Sequence, residues 1–72
     1  MRELLRTTDV VRLSWLTALL NDAGIESVVL DNHMSVLEGS VIAIPRRLMV
    51  DTDDYRQARR VLTEAGESLP DE

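Results

Sequence analysis

The single histidine of this chain, His33, lies close in sequence to two carboxylates, Asp31 and Glu38. An imidazole with carboxylates can bind several divalent ions, so these residues form one candidate metal site. A single nitrogen ligand is a weak donor set, and the favoured interpretation is a loop histidine that makes an ordinary hydrogen bond or faces water. As a general base, His33 would need a nucleophile, but Ser35 and Ser40 belong to no recognisable nucleophile motif. We therefore expect no catalytic residue, no metal and no cofactor.

The adjacent arginines Arg46 and Arg47 are the other residues that could bind a ligand. Their guanidinium groups match planar anions, and backbone amides of a turn around Gly39 could add donors. His33 and Glu38 complete this candidate ligand or interaction site. Successive strand residues face opposite sides of a sheet, so both arginines cannot hold one anion if they lie within the strand. The favoured interpretation is that one arginine pairs with an acid, and a small anionic ligand is the alternative.

The composition argues against several classes of function. The 72 residues include 8 Arg, no Lys and 13 acidic residues, for a net charge of −5. Nonspecific nucleic-acid affinity comes mainly from clustered positive charge, so we expect no nucleic-acid partner. The absence of Cys excludes a disulfide framework and a thiolate metal site. No apolar run approaches the roughly 20 residues of a membrane span, and no secretory leader is recognisable, so we expect a cytoplasmic protein with no membrane partner.

Helices and strands on either side of these residues must position them. The spacing predicts a first strand over residues 2–7, then a helix over about residues 9–23 that ends at Gly24. A second strand follows over residues 25–31, where β-branched side chains are frequent. After the insert of residues 32–47, a third strand is predicted over residues 47–51.

The second helix begins after an acidic cap and carries one apolar stripe. Asp51, Asp53 and Asp54 are typical of a helix start and lack the later Gly and Glu of a calcium loop. The stripe consists of Tyr55, Ala58, Val61, Leu62 and Ala65. Gly66 should end the helix, and we expect residues 67–72 to form a frayed tail.

The first helix has apolar side chains on two sides. Its main stripe consists of Leu13, Leu16, Leu19 and Leu20, and a second apolar flank contains Val11, Trp15 and Ala18. Such a helix must be covered on more than one side, by the insert or by another protein chain. Val11 and Trp15, with Met34 and Leu37 of the insert, are therefore the candidate interface residues.

The element order predicts a single ferredoxin-like domain over residues 1–66. Two strands joined through a helix favour a βαβ crossover, and the second and third strands can pair antiparallel through the insert. The fold class is therefore α+β, a βαββα arrangement with a small, mostly antiparallel sheet and two helices on one face. A domain this short buries only about 60% of the surface of its unfolded chain, so self-association would stabilise it.

Several local sequences carry a family resemblance. They are the Thr and Asp that close the first strand, the helix end ALLNDAGI, the block HMSVLEGSVIAIPRRLMV and the last helix DTDDYRQARRVL. Together they resemble the family named Putative prokaryotic signal transducing protein, over nearly the whole chain. The resemblance implies a ferredoxin-like fold similar to that of the PII proteins, and a role in bacterial signal transduction. The chain lacks the fourth strand and long loop of a PII protein, and no PII nucleotide-binding residue can be carried over.

The residues and the resemblance together lead to one functional expectation. We expect a noncatalytic cytoplasmic module that transduces signals through protein–protein interaction, as a homo-oligomer or with another protein. The alternative is a sensor of a small anionic ligand or metabolite, bound at the insert of residues 32–47. Exposure of the apolar side chains of that insert would contradict both of its predicted packing modes.

Overall fold

Three strands and two α-helices follow one another in the predicted order β-α-β-β-α in a computed structural model, which describes residues 1–30 and 45–70. The elements are β1 (Arg2–Thr7), α1 (Val10–Asp22), β2 (Ser27–Leu30), β3 (Arg46–Val50) and α2 (Tyr55–Glu64). One turn of 3₁₀-helix, Thr52–Asp54, precedes α2. The ferredoxin-like α+β prediction is confirmed.

The third strand lies at the centre of the sheet. β3 pairs antiparallel with both β1 and β2, so the strand order is β1-β3-β2 and the two outer strands run parallel to each other. Parallel strands cannot be joined by a tight turn, and α1 provides the connection that β1 and β2 require. The predicted antiparallel pairing of the second and third strands is also present.

Both helices end in a hydrogen-bonded glycine motif. At the end of α1, the amide of Gly24 donates to the carbonyl of Asn21 at 3.0 Å, and the amide of Ile25 donates to Leu20 at 2.9 Å. The corresponding bonds at the end of α2 run from Gly66 and the residue after it to the last helical turn. Both glycines have positive φ, 76° and 90°, as this helix ending requires. Because Ile25 belongs to the helix ending, β2 begins two residues later than the sequence predicts.

The core lies between the helices and one face of the sheet. Its buried residues are Leu4, Leu5, Leu13, Leu16, Leu20, Ile25, Leu48, Val50, Tyr55, Ala58 and Leu62. The predicted stripe of α1 supplies three of them, and Leu19 packs against the cluster while partly buried. The predicted stripe of α2 supplies three more, with Val61 partly buried beside them.

An irregularity in β1 changes which side chains share a face. Glu3 pairs with Met49, whereas Leu5 pairs with Leu48, so Leu4 is an additional residue in this strand. A β-bulge of this kind lets both leucines enter the core, where each is at most 2% exposed. It also brings Glu3 and Arg6 to the same face of the sheet. Their side chains form an ion pair with an N–O distance of 2.9 Å.

The segment after α2 packs against the helices. The Arg12 guanidinium lies 3.0 Å from the Glu67 carboxylate, and Leu69 packs against the core. The Arg59 guanidinium donates to the Pro70 carbonyl at 2.7 Å. These contacts involve residues 67–70 of the predicted tail, while residues 71–72 lie outside the described part of the chain. Fraying of the tail in solution stays a prediction.

Candidate functional site

The outward face of α1 presents exposed apolar side chains. The helix begins where Asp9 accepts hydrogen bonds from the amides of Val11 and Arg12, both at 3.0 Å, which satisfies two amides of the first turn. Val11 is 78% exposed and Trp15 is 51% exposed, on the side of the helix opposite the buried leucines. Two of the four candidate interface residues therefore lie on the surface of the described part of the chain. Their role as an interface stays a prediction.

This face carries no charged side chain. The only charged residues of α1 are Arg12 and Asp22. Arg12 points toward the segment after α2, where it pairs with Glu67, and Asp22 is the last helical residue. We define the α1 outward face as Val10, Val11, Ser14, Trp15 and Ala18. By contrast, α2 has exposed charges at Arg56, Arg60 and Glu64.

The hydroxyl groups near the face are already hydrogen-bonded. Ser14 Oγ donates to the Val10 carbonyl at 3.1 Å, and Thr17 Oγ1 donates to the Ser14 carbonyl at 3.0 Å. Burial of a hydroxyl costs free energy mainly when its hydrogen bond is lost. A partner can therefore cover this part of α1 without leaving these donors unsatisfied.

Two adjoining grooves separate α1 from β2. Their volumes are about 520 Å³ and 360 Å³, and Ser14 and Thr17 line both. On the β2 side, Val28 lines the larger groove and Val29 lines the smaller one. Val28, Val29 and Leu30 are each 36–40% exposed. The grooves therefore separate the α1 outward face from these side chains of β2.

The two candidate arginines lie on different sides of the sheet. β3 begins at Arg46, one residue earlier than predicted, so both arginines belong to the strand. Arg46 lines the smaller groove together with α1. Arg47 is the cross-strand neighbour of Arg6 and Leu30 and lies on the opposite face, as strand geometry requires. One anion cannot contact both guanidinium groups.

The remaining candidate residues of the insert lie outside the described residues. These are His33, Met34, Leu37, Glu38 and Gly39, whose proposed ligand or interface roles stay predictions. Over residues 1–30 and 45–70, no group of three His, Cys, Asp or Glu side chains is placed to hold a metal ion. In that same part of the chain, no helix has the length and apolar character needed to cross a membrane.

Sequence reasoning missed the ion pair between Glu3 and Arg6 on the open face of the sheet. In a regular strand, residues three apart face opposite sides, so their spacing argues against a contact. The bulge at Leu4 removes that obstacle. No local signal in the RELLRT sequence predicts the bulge, because it depends on the register with β3.

Comparison with known proteins identifies the family of this chain. No curated protein matches it. A family model described as Putative prokaryotic signal transducing protein matches residues 1–66, which include every helix and strand of the fold. The chain therefore belongs to the family named Putative prokaryotic signal transducing protein.

Proposed function

We propose that this chain is a noncatalytic cytoplasmic module that transduces signals by protein–protein contact, with the α1 outward face as its docking surface. The observation that carries the proposal is the half-exposed Trp15 beside Val11, on a helix face without charge. The family description supports the signalling role. The two exposed side chains support contact with a protein as the means.

Trp15 has the properties of an interface anchor. Tryptophan is enriched among residues that dominate binding energy, because a large rigid ring buries much apolar area at little cost in conformational entropy. Truncation of such an anchor at the centre of an interface typically costs about 2 to 4 kcal/mol of binding free energy. Ser14 beside it adds little desolvation cost, since its hydroxyl already donates to the Val10 carbonyl.

The alternative function, binding of a small anionic ligand at the insert, has weaker support. Arg46 and Arg47 lie on opposite faces of the sheet, so they do not form one site. A ligand-binding protein gains stability with its ligand according to the ratio of ligand concentration to Kd. A thermal-shift screen with small anionic metabolites would favour this alternative if one of them raised the Tm.

Site-specific photo-crosslinking in the cells that produce the protein tests the docking proposal. A photoreactive residue replaces Val11 in the full chain, and a matched control carries it at Gln57, which is exposed on α2. We expect a discrete crosslinked protein from position 11 and none from position 57. A Trp15→Glu substitution should abolish that crosslink, whereas Gln57→Glu, which also adds one negative charge, should not.

Two outcomes would contradict the proposal. Equal crosslinking from positions 11 and 57 would show that partner proteins do not bind the α1 outward face in preference to the surface of α2. Persistence of the position-11 product in the Trp15→Glu variant would show that Trp15 does not anchor the contact.

A further inference from the structure

We propose that two copies of this chain pair antiparallel through the outer edges of β1, about a two-fold axis between Leu4 and Leu5. Within the described residues, β1 is hydrogen-bonded to β3 on one side and to no strand on the other. An edge strand carries a row of N–H and C=O groups that match another extended strand. This inference is independent of the docking surface on α1.

The distribution of β1 side chains between the two faces is symmetric about this axis. Leu4 and Leu5 are both buried on the helix side of the sheet. Arg2 and Thr7, at the ends of the strand, also belong to that side. The Arg2 guanidinium carbon lies 3.8 Å from the centroid of the Tyr55 ring of α2, and the Thr7 hydroxyl accepts a hydrogen bond from the amide of the α1 cap residue.

The remaining two residues, Glu3 and Arg6, lie on the open face. They neighbour Met49 and Arg47 of β3, which are two residues apart and therefore share a face. Rotation about the proposed axis exchanges position 3 with position 6. Each helix-side residue then meets a helix-side residue, and each open-face residue meets an open-face residue.

The charges of the open face are complementary in this register. Glu3 of one copy lies directly opposite the partner's Arg6, and the same contact recurs across the axis. Within each copy the two side chains already form an ion pair at 2.9 Å. The dimer therefore has four charges of alternating sign on one face. Opposite charges at directly paired positions stabilise an antiparallel pair, and like charges destabilise it.

The distribution of β1 side chains between the two faces disfavours neighbouring registers. A slip of one residue toward the N-terminus places Arg2, on the helix side, opposite the partner's Arg6, on the open face. A slip of one residue the other way places Arg6 opposite the partner's Leu4. Either slip also sets helix-side residues against open-face residues. Edge charges usually prevent strand pairing. Here Glu3 and Arg6 meet as opposite charges in the proposed register, and neither slip keeps the faces of the two strands matched.

The resulting assembly keeps the α1 outward face accessible. α2 packs on β1, whereas α1 packs on both β1 and β2. Pairing at β1 therefore joins the three strands of the described residues in each copy into one six-stranded sheet, and it leaves β2 and Trp15 away from the axis. The dimer would present two copies of the docking surface, a geometry that increases apparent affinity for a partner with two binding sites.

A charge-exchange experiment tests this pairing. The mass in solution is measured by light scattering over a dilution series at low ionic strength, with folding of each variant verified by circular dichroism. We expect the native chain to dimerise, and Glu3→Arg or Arg6→Glu alone to raise the dimer Kd at least about tenfold, because like charges then meet across the axis. An equimolar mixture of the two variants should dimerise again, since every cross-axis pair in the heterodimer has opposite signs.

Two further variants complete the test. The double exchange Glu3→Arg with Arg6→Glu keeps the ion pair within the chain and should dimerise as the native chain does, which covers the case of a single variant that fails to fold. Arg60→Glu makes the same charge change at an exposed position of α2 and should leave the Kd unchanged. A native monomer at all concentrations overturns the proposal. The proposal is also overturned if Glu3→Arg and Arg6→Glu do not weaken the dimer, or if the mixture of the two variants does not regain dimer formation.

Discussion

Removal of the same two methyl groups from an exposed and a buried valine should have very different effects on stability. Val11 on the α1 outward face is 78% exposed, whereas Val50, the last residue of the central strand β3, is 0% exposed. We compare Val11→Ala with Val50→Ala, so that the chemical change is identical and the burial differs. The comparison tests whether the α1 outward face is uncovered in the monomer, as docking of a partner on this face requires.

The magnitude follows from burial. At Val50, the substitution loses the burial of two methyl groups, worth about 0.8 kcal/mol each, and the small cavity adds about 1 kcal/mol, for a total of about 2 to 3 kcal/mol. At Val11, less than a quarter of the side chain is buried. The remaining transfer term of about 0.3 kcal/mol is offset by the higher helix propensity of alanine. We therefore expect Val11→Ala to change the free energy of unfolding by less than about 0.5 kcal/mol.

Urea denaturation monitored by circular dichroism measures both values. The protein concentration must lie below the dimer Kd, because association would add its own stabilisation. The m-value should be the same for both variants and the native chain. A loss of more than about 1.5 kcal/mol in the Val11→Ala monomer would refute the reasoning, since a loss of that size requires a buried side chain. It would show that another part of the same chain covers this face.

Three further predictions concern a helix cap, a helix-ending glycine and an ion pair. Asp9→Ala removes the acceptor of two amides and should lower the free energy of unfolding in urea by about 1 kcal/mol. Asp9→Ser should recover most of that loss. An unchanged urea midpoint for Asp9→Ala would show that the Asp9 cap does not stabilise the helix. Gly24→Ala should cost about 1 kcal/mol, although a Cβ there meets no atom within 4 Å, because φ is +76°. Gly24→Asn should lose less stability than Gly24→Ala when both are measured by calorimetry, because asparagine tolerates positive φ better than alanine. Equal losses would contradict the positive φ as the cause. A double-mutant cycle of Arg12→Ala and Glu67→Gln should give a coupling below about 1 kcal/mol that decreases with salt, since both groups are partly exposed; a larger, salt-independent coupling would contradict this.

Local patterns in the sequence predict the two helices well. Asp9 is a cap that can be recognised from its position before the apolar spacing, and Gly24 and Gly66 mark the two helix ends. The α1 and α2 stripes follow from a period of 3.6 residues, which depends only on the chain itself. For the same reason, the opposite directions of Arg46 and Arg47 were predictable once both belong to one strand.

The sequence predicts the exposed side of α1 but not how that side lies relative to the rest of the fold. The second apolar flank of α1 indicates that Val11 and Trp15 lie off the core stripe, and the structure places both on the surface. The grooves between α1 and β2 depend on how the helix crosses the sheet, which no local pattern encodes. The packing of Glu67 and Leu69 against the helices was not predicted either, because a short polar segment gives no periodic signal.

By itself, the sequence determined the helix boundaries, the core stripes and the charge-free face of α1, because each depends on residues within a few positions of one another. Only the tertiary structure decided that β3 lies between β1 and β2, and that Leu4 bulges so that Glu3 and Arg6 share a face. Strand order and register depend on contacts between distant residues, and a shift of one position reverses every side chain. The symmetric charge pattern of β1 is therefore visible only after the strand is paired.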